Sequence, residues 1–224
     1  MQLCGVDMEC AIFDMDGTIL DSMGYWHTVS NHYLAAHGKK PSETLWDDVK
    51  RLTLEETAAF IAKTFGIGDA IEDICAEFRK MIFEAYSKSL ELKEGAREFL
   101  EKLKARGIPC VLATATDRTC VDACLSRLGI MNLFSGIFTC AELGTNKRVP
   151  LIFERAAQSV GADISRSVVF EDALHCIRSA KNGGFRVCAI HDDSSDEITE
   201  PPESDWARII RLADKTILAW NELL

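Results

Sequence analysis

The chain has 224 residues, 47% of them hydrophobic and 27% charged, which is typical of a folded globular protein and argues against disorder. This length suits one large domain, or a core domain with a smaller insertion, and no apolar run approaches the roughly 20 residues that a bilayer-spanning helix needs. The net charge of −10 argues against nucleic acid or an anionic membrane surface as the main partner, but it leaves room for a small anion at a locally positive site.

The first predicted element is a short buried strand at residues 10–13. From residue 21 to residue 91 the sequence then shows helical periodicity and no strand signal. Trp26, Val29 and Tyr33 recur at helical spacing, and Thr53 with Glu56 forms the pattern of a capping box. We therefore predict an all-helical bundle in this part of the chain.

After residue 91 the pattern changes to alternating helices and strands. The strands are apolar on both faces and are separated by helices of about a dozen residues, which indicates a parallel sheet with right-handed crossovers. The predicted strands are 108–114, 136–140, 167–171, 185–190 and 216–219, and the predicted helices are 96–105, 117–129, 150–161, 172–184 and 205–212.

The strand before Asp14 most simply joins that sheet. The predicted fold class is therefore α/β, a Rossmann-like parallel sheet with helices on both faces. Residues 1–20 and 92–224 form this core domain, and residues 21–91 form an all-helical bundle inserted after the first strand.

Polar side chains are concentrated where the predicted strands end. In open parallel sheets, ligands bind just beyond the carboxyl ends of the strands, so these side chains are expected at one edge. In chain order they are Asp14, Asp16, Thr114, Lys147, Glu171 and Asp172.

Asp14 and Asp16 are two residues apart on an extended segment and can face one site. Two close carboxylates repel each other, and a divalent cation removes that repulsion. Glu171 and Asp172 could bring further carboxylates to the same ion. Ligation by oxygen alone suits Mg²⁺, which keeps several of its waters.

An anion could bind beside that cation. Lys147 would balance the remaining negative charge and bind the anion, and Gly17 would let the backbone approach the anion closely. Thr114 could donate a hydrogen bond to the same anion, although spacing alone does not distinguish Thr114 from Thr116. Carboxylates, a hard metal ion, a lysine and a hydroxyl are the groups that phosphoryl transfer requires.

Four segments resemble the motifs of the haloacid dehalogenase superfamily. They are "DMDGT" after the first strand, "LATAT" at the next strand end, a lone Lys147 ahead of a helix, and "VVFEDA". The resemblance spans the chain, and residues 21–91 match the position and size of the helical C1 cap of that family. The chain looks most similar to the branch that contains beta-phosphoglucomutase and small-molecule phosphatases.

This resemblance implies a role for each matched residue. Asp14 would be the nucleophile that forms an aspartyl-phosphate, and Asp16 would protonate the leaving oxygen and then activate water. The phosphate-binding residues would be Gly17, Thr114, Ala115 and Lys147. The Mg²⁺ ligands would be Asp14, the backbone carbonyl of Asp16, and Asp172, with Glu171 as a direct or water-mediated ligand.

The chain also departs from the family pattern. Arg148 replaces the usual proline after the lysine, and Ala173 and Cys176 stand where serine and glycine are common. Trp26 occupies the position at which mutase-like members carry a histidine, which weakens the mutase interpretation.

The matching substrate-specificity loop of the helical bundle contains Lys50 and Arg51. These side chains could contact a second anionic group of the substrate, and a basic loop exposed to water explains them equally well. Trp26, Lys50 and Arg51 are therefore the candidate specificity residues.

The predicted function is a Mg²⁺-dependent phosphatase of small phosphorylated metabolites. A sugar phosphomutase is the alternative within the family, and a non-catalytic binding or regulatory module is the alternative from another class. Dehalogenases and phosphonate-cleaving members of the family lack an aspartate at the position of Asp16, so the resemblance argues against those two activities. Nine cysteines without a C-x-x-C pattern indicate reduced thiols of a cytoplasmic protein. The oligomeric state stays open, with a monomer favoured.

Overall fold

The computed structural model describes residues 1–50, 52–199 and 201–224. The chain divides into two compact units, one made of Met1–Asp21 and Leu90–Leu224 and the other of Ser22–Ser89. Among the described residues, no helix combines the length and apolar character that crossing a membrane would require.

The larger unit contains a six-stranded sheet in which every neighbouring pair of strands is parallel. A separate antiparallel hairpin of two short strands precedes it. The strands are β1 (Gln2–Leu3), β2 (Val6–Asp7), β3 (Cys10–Phe13), β4 (Cys110–Thr114), β5 (Gly136–Thr139), β6 (Ser167–Glu171), β7 (Arg186–Ile190) and β8 (Lys215–Ile217). The order in the sheet is β5–β4–β3–β6–β7–β8, so β3 lies between β4 and β6.

Helices make up the smaller unit and connect the strands of the larger one. The smaller unit contains α1 (Met23–Ala36), α2 (Leu45–Val49), α3 (Leu54–Phe65) and α4 (Ile71–Lys88). The larger unit contains α5 (Ala96–Ala105), α6 (Arg118–Arg127), α7 (Cys140–Leu143), α8 (Leu151–Ser159), α9 (Leu174–Asn182) and α10 (Asp205–Leu212).

The predicted α/β fold class is confirmed, and several elements have their predicted bounds. Helices α5 and α10 and strand β6 begin and end at the predicted residues. The last strand is shifted, because it ends at Ile217 and a 3₁₀ helix, Trp220–Leu223, follows. Helices α2 and α7 and the hairpin β1–β2 were not predicted, because they are too short to show a periodic pattern.

The two faces of the sheet pack against different partners. Side chains alternate along each strand, so Ile12 and Val169 on one face join a core with Phe153 and Ile177 from α8 and α9. The whole of β3 is buried, as are β4 and β6. Burial on both faces accounts for the uninterrupted apolar runs in the sequence.

The opposite face carries a cluster of aromatic rings. Phe13 stacks on Phe170 with ring centroids 4.6 Å apart, and Phe99 stacks on Trp220 at 5.2 Å. Trp220 is 1% exposed, and its Nε1 donates a hydrogen bond to the backbone oxygen of Thr18 at 3.1 Å. Because Thr18 follows β3 closely, this bond ties the C-terminal segment to the loop that carries Asp14 and Asp16.

The smaller unit has a core of its own. Tyr33 of α1 stacks on Phe78 of α4 with ring centroids 4.7 Å apart. The predicted capping box is confirmed, since the Thr53 N–H donates to Glu56 Oε2 at 2.8 Å and the Glu56 N–H donates to Thr53 Oγ1 at 3.2 Å. It satisfies backbone donors at the start of α3.

Trp220→Ala should lower the free energy of unfolding by about 3–5 kcal/mol, because it removes a fully buried ring and leaves a cavity. Trp220→Phe should lower the free energy of unfolding by less, because it keeps an aromatic ring in the core and loses mainly the hydrogen bond to Thr18. The measurement is urea denaturation followed by circular dichroism. Leu218→Ala is the control, because Leu218 is 68% exposed and should change stability by less than about 0.5 kcal/mol. Equal losses for Trp220→Ala and Leu218→Ala would contradict this account of the core.

Candidate active site

The loop after β3 is a tight turn that begins with a buried carboxylate. The Asp14 N–H donates to the Phe170 oxygen of β6 at 3.0 Å, which continues the sheet pairing by one residue. Gly17 has a φ of +76°, a conformation that L side chains rarely adopt. Its N–H donates to the Leu20 oxygen at 3.0 Å, so it closes the turn. Gly17 therefore shapes the loop, and its predicted contact with phosphate stays a prediction.

Lys147 connects two of the predicted carboxylates. Its Nζ donates to Asp14 Oδ1 and, at 2.8 Å, to Glu171 Oε1. All three side chains are buried, with exposed fractions of 7% for Asp14, 5% for Lys147 and 1% for Glu171. The structure thus joins the ends of β3 and β6 through one ammonium group.

Glu171 and Asp172 are held by further hydrogen bonds. Glu171 Oε2 accepts the backbone N–H groups of Asp172 and Ala173, each at 2.9 Å. Asp172 Oδ1 accepts a hydrogen bond from Thr18 Oγ1 at 2.8 Å. Each carboxylate therefore has a fixed orientation at the carboxyl edge of the sheet.

Asp14, Glu171 and Asp172 each offer a carboxylate oxygen within 4.8 Å of the other two. Lys147 contacts two of these three carboxylates, so the fully ionised cluster has excess negative charge in a buried place. An all-oxygen donor set with excess negative charge fits a hard divalent cation such as Mg²⁺. Asp14 and Asp172 would hold it, with Glu171 as a direct or water-mediated ligand.

The pKa values of the cluster reflect burial and mutual repulsion. Burial raises the pKa of Asp14 from its ordinary 3.8 to about 7, against the opposing effect of Lys147. Burial, together with the charges of Glu171 and Asp14, also raises the pKa of Asp172 well above its usual range. The carboxylates of Asp14 and Glu171 outweigh burial at Lys147, so its pKa is raised and it stays charged.

Two threonine hydroxyls, one on the last residue of β4 and one just after the strand, have different partners. Thr114 is 1% exposed, and its Oγ1 accepts the backbone N–H of Thr116 at 3.0 Å. The hydroxyl of Thr116 donates to Asp16 Oδ2 at 2.5 Å. A hydroxyl that accepts a hydrogen bond through its oxygen can still donate its O–H, so Thr114 is suited to donate to an anion. Ala115, between them, is exposed.

The predicted specificity residues belong to the smaller unit. Trp26 Nε1 donates to the Tyr86 hydroxyl at 3.1 Å, and Lys50 Nζ pairs with Asp47 at 2.7 Å. Arg51 lies outside the described residues. Their predicted roles stay predictions.

The unusual residues of the motifs also have defined surroundings. Arg148 is exposed, and its N–H donates to Asn146 Oδ1 at 2.9 Å. Ala173 is the residue before α9, and its N–H bonds to Glu171. Cys176 is buried, its Sγ lies 3.2 Å from His175 Nε2, and its thiol is close enough to Glu171 to lower the pKa of that carboxyl. Cys176 is therefore a neighbour of the acidic cluster.

Sequence reasoning missed other contributors to this edge. Thr18 belongs to the "DMDGT" stretch, and its hydrogen bond to Asp172 could not be predicted from residue spacing. Lys93 Nζ pairs with Asp192 Oδ2 at 2.7 Å and also donates to the His191 oxygen at 3.1 Å. The negative charge of Asp192 helps to raise the pKa of Asp172, and Lys93 in turn helps to lower the pKa of Asp192.

Open α/β enzymes place their ligand sites at the carboxyl edge of the parallel sheet, and this chain has a buried carboxylate cluster and a lysine at that edge. Residues 11–190 match the family model of the haloacid dehalogenase-like hydrolases. The chain therefore belongs to the haloacid dehalogenase-like hydrolase family and is a hydrolase of that family.

Curated relatives include phosphatases. The chain is 26% identical over 182 residues to a phosphorylated carbohydrates phosphatase of Thermotoga maritima, covering 80% of this chain and 82% of that protein. It is 27% identical over 188 residues to a bifunctional riboflavin kinase/FMN phosphatase of Arabidopsis thaliana. That match covers 81% of this chain, and the chain spans 48% of the length of the Arabidopsis protein.

Solved structures share the fold. A haloacid dehalogenase family hydrolase from Deinococcus radiodurans, with bound phosphate and sodium, aligns with a TM-score of 0.74 and 21% identity over 97% of this chain and 94% of that one. A beta-phosphoglucomutase from Clostridium difficile aligns with a TM-score of 0.69 and 18% identity over 97% and 93%. At these identities the likeness concerns the fold.

The raised pKa of Asp14 predicts a pH-dependent contribution to stability. The folded protein holds this proton more tightly than the unfolded chain, so the contribution is present below about pH 4 and is lost as pH rises to about 7. In metal-free buffer, the unfolding free energy of the wild type minus that of Asp14→Asn should therefore fall across this window. The measurement is chemical denaturation at a series of pH values.

The control for this series is Asp122→Asn, because Asp122 is 48% exposed and pairs only loosely with Arg118 at 3.7 Å. Its profile should follow that of the wild type. Parallel profiles for the wild type and Asp14→Asn would show that Asp14 is not a raised-pKa group.

Proposed function

We propose that this protein is a Mg²⁺-dependent phosphatase that hydrolyses a small phosphorylated metabolite through an aspartyl-phosphate on Asp14. The observation that carries the proposal is the buried contact of Asp14 with Lys147, beside Glu171 and Asp172. The phosphatases among the relatives support it at the level of reaction class.

The chemistry takes place in two balanced steps. In the first, a carboxylate oxygen of Asp14 attacks phosphorus, the P–O bond to the metabolite breaks, and Asp16 gives its proton to the leaving oxygen. In the second, water attacks phosphorus, Asp16 accepts a proton from that water, and the bond to Asp14 breaks. The products are the dephosphorylated metabolite and phosphate, with both aspartates restored.

The surrounding residues fit the charges of this reaction. Lys147 presents a permanently charged ammonium beside Asp14, where the phosphoryl oxygens would lie, and Thr114 has an O–H to donate. Mg²⁺, when bound, supplies the positive charge that shields the phosphoryl oxygens from the carboxylates. Asp14 and Asp172 are the residues that would hold it.

The two aspartates have surroundings that suit different roles. Asp14 is buried and contacts Lys147, so it is fixed next to the phosphoryl site. Asp16 is partly exposed and bonds to Thr116, so it lies where a leaving group or water can reach it. This difference supports Asp14 as the nucleophile and Asp16 as the acid and base.

A sugar phosphomutase is the second candidate, supported by the fold it shares with beta-phosphoglucomutase. In that reaction a second sugar hydroxyl, instead of water, would accept the phosphoryl group. Trp26 weighs against it, because an indole N–H only donates hydrogen bonds and this one already donates to Tyr86.

A non-catalytic module is the candidate from another class. Such a module would have no use for three buried carboxylates around one lysine, since unpaired buried charge is destabilising. A cytoplasmic location, a metabolite substrate and a monomeric state stay predictions from the sequence.

The test is a phosphate-release screen of purified protein with Mg²⁺ on sugar, polyol and nucleotide monophosphates. The wild type should release phosphate from at least one of them. Asp14→Asn should lower turnover by more than about a thousandfold, because it removes the nucleophile and keeps the side-chain shape. Asp122→Asn is the matched control and should keep wild-type turnover.

Absence of phosphate release from the whole panel would refute the phosphatase proposal. Conversion of a sugar phosphate into its isomer without loss of phosphate would favour the mutase. Retained turnover in Asp14→Asn would exclude Asp14 as the nucleophile.

A further inference from the structure

Asp16 needs a defined orientation, because the proposed mechanism asks it to deliver a proton to one oxygen and to receive one from another. Its side chain is partly exposed, unlike that of Asp14. The hydroxyl of Thr116 lies 2.5 Å from Asp16 Oδ2 and is placed to orient this side chain.

Thr116 is itself fixed by the strand end. Its N–H donates to Thr114 Oγ1 at 3.0 Å, and Thr114 ends β4 in a fully buried position. The hydrogen bond from a hydroxyl to an ionised carboxylate is short and strong. A continuous chain of contacts therefore runs from the buried end of β4 through Thr116 to Asp16.

The two hydroxyls consequently do not compete for the same ligand. Thr114 lies at the strand end, where an anion beside Lys147 would meet it. The hydroxyl of Thr116 is engaged with Asp16 instead. Sequence spacing leaves these roles open, and the hydrogen bonds separate them.

We propose that Thr116 is a positioning residue that orients the Asp16 carboxylate for proton transfer, while Thr114 serves the phosphoryl group. The proposal rests on the proposed phosphatase function. It predicts that loss of the Thr116 hydroxyl affects only those steps in which Asp16 moves a proton.

The dependence on leaving group provides a distinctive signature. A nitrophenolate leaves without protonation, whereas an alkoxide of a sugar or polyol needs a proton as the P–O bond breaks. Mispositioning of Asp16 should therefore slow formation of the aspartyl-phosphate from an alkyl phosphate and spare its formation from p-nitrophenyl phosphate. Hydrolysis of the aspartyl-phosphate should be slowed with both substrates, because water must lose a proton in each case.

The experiment measures both steps by rapid quench for the full chain with Mg²⁺. The substrates are p-nitrophenyl phosphate and the best alkyl phosphate from the screen. Thr116→Val keeps the shape and removes the hydroxyl. It should slow hydrolysis of the aspartyl-phosphate by about tenfold to a hundredfold, the effect of one hydrogen bond to a charged group. The phosphoenzyme should accumulate, and its formation from p-nitrophenyl phosphate should change by less than about threefold.

Thr116→Ser is the matched control, because it retains the hydroxyl and should restore wild-type rates to within about threefold. Thr116→Ala provides a second hydroxyl-free variant and should behave like Thr116→Val. Equal slowing of phosphoenzyme formation from both substrates would overturn the proposal, as would unchanged hydrolysis in both hydroxyl-free variants. A wild type that releases no phosphate from either substrate would refute the phosphatase function itself, which is a different outcome from either.

Discussion

The structure depends on one electrostatic constraint, the burial of three carboxylates around a single lysine. Asp14, Glu171 and Asp172 lie within reach of one cation, and Lys147 is the ammonium that contacts two of them. Like charges in a low-dielectric place are tolerated only when a proton, a hydrogen bond or a cation offsets them. The hydrogen bonds from Thr18 and from the backbone after β6 offset part of this charge.

The parallel sheet is what brings these groups together. Strand β3 lies between β4 and β6, so residues far apart in the chain meet at one carboxyl edge. The central strands are buried on both faces, and Trp220 links the C-terminal segment to the loop after β3. Core packing and reaction chemistry are therefore parts of the same arrangement, because the aromatic cluster supports the loop that carries both aspartates.

Much of this could be predicted from the sequence. The pattern of apolar residues predicted β6 and α5 correctly, because this pattern depends on which side chains of an element are buried. The strand-end position of Asp14 and Asp172 predicted that they would meet, because parallel strands end at a common edge. The hairpin β1–β2 could not be predicted from the sequence, because two-residue strands have no periodic pattern and depend on the turn at Cys4 and Gly5.

Side-chain partners were less accessible to sequence reasoning. Spacing left Thr114 and Thr116 equivalent, and only the positions of their hydroxyls distinguished them. The pairing of Lys93 with Asp192 joins residues on different elements, for which a single sequence contains no signal. Local sequence patterns predict which element carries a side chain, whereas the hydrogen-bond partners of that side chain depend on the tertiary packing.

Calorimetric titration of Mg²⁺ tests most directly whether the buried carboxylates need a divalent cation. The titration is done below pH 7 in two buffers of different ionisation enthalpy, so that proton exchange is measured along with binding. If the account is right, Mg²⁺ binds at one site and releases a proton, because burial raises the pKa of Asp14 to about 7 in the metal-free protein. In Asp14→Asn the proton release should be smaller, because only the raised pKa of Asp172 then contributes to it. Mg²⁺ binding with the same proton release in both proteins, or no binding to the wild type, would contradict the account.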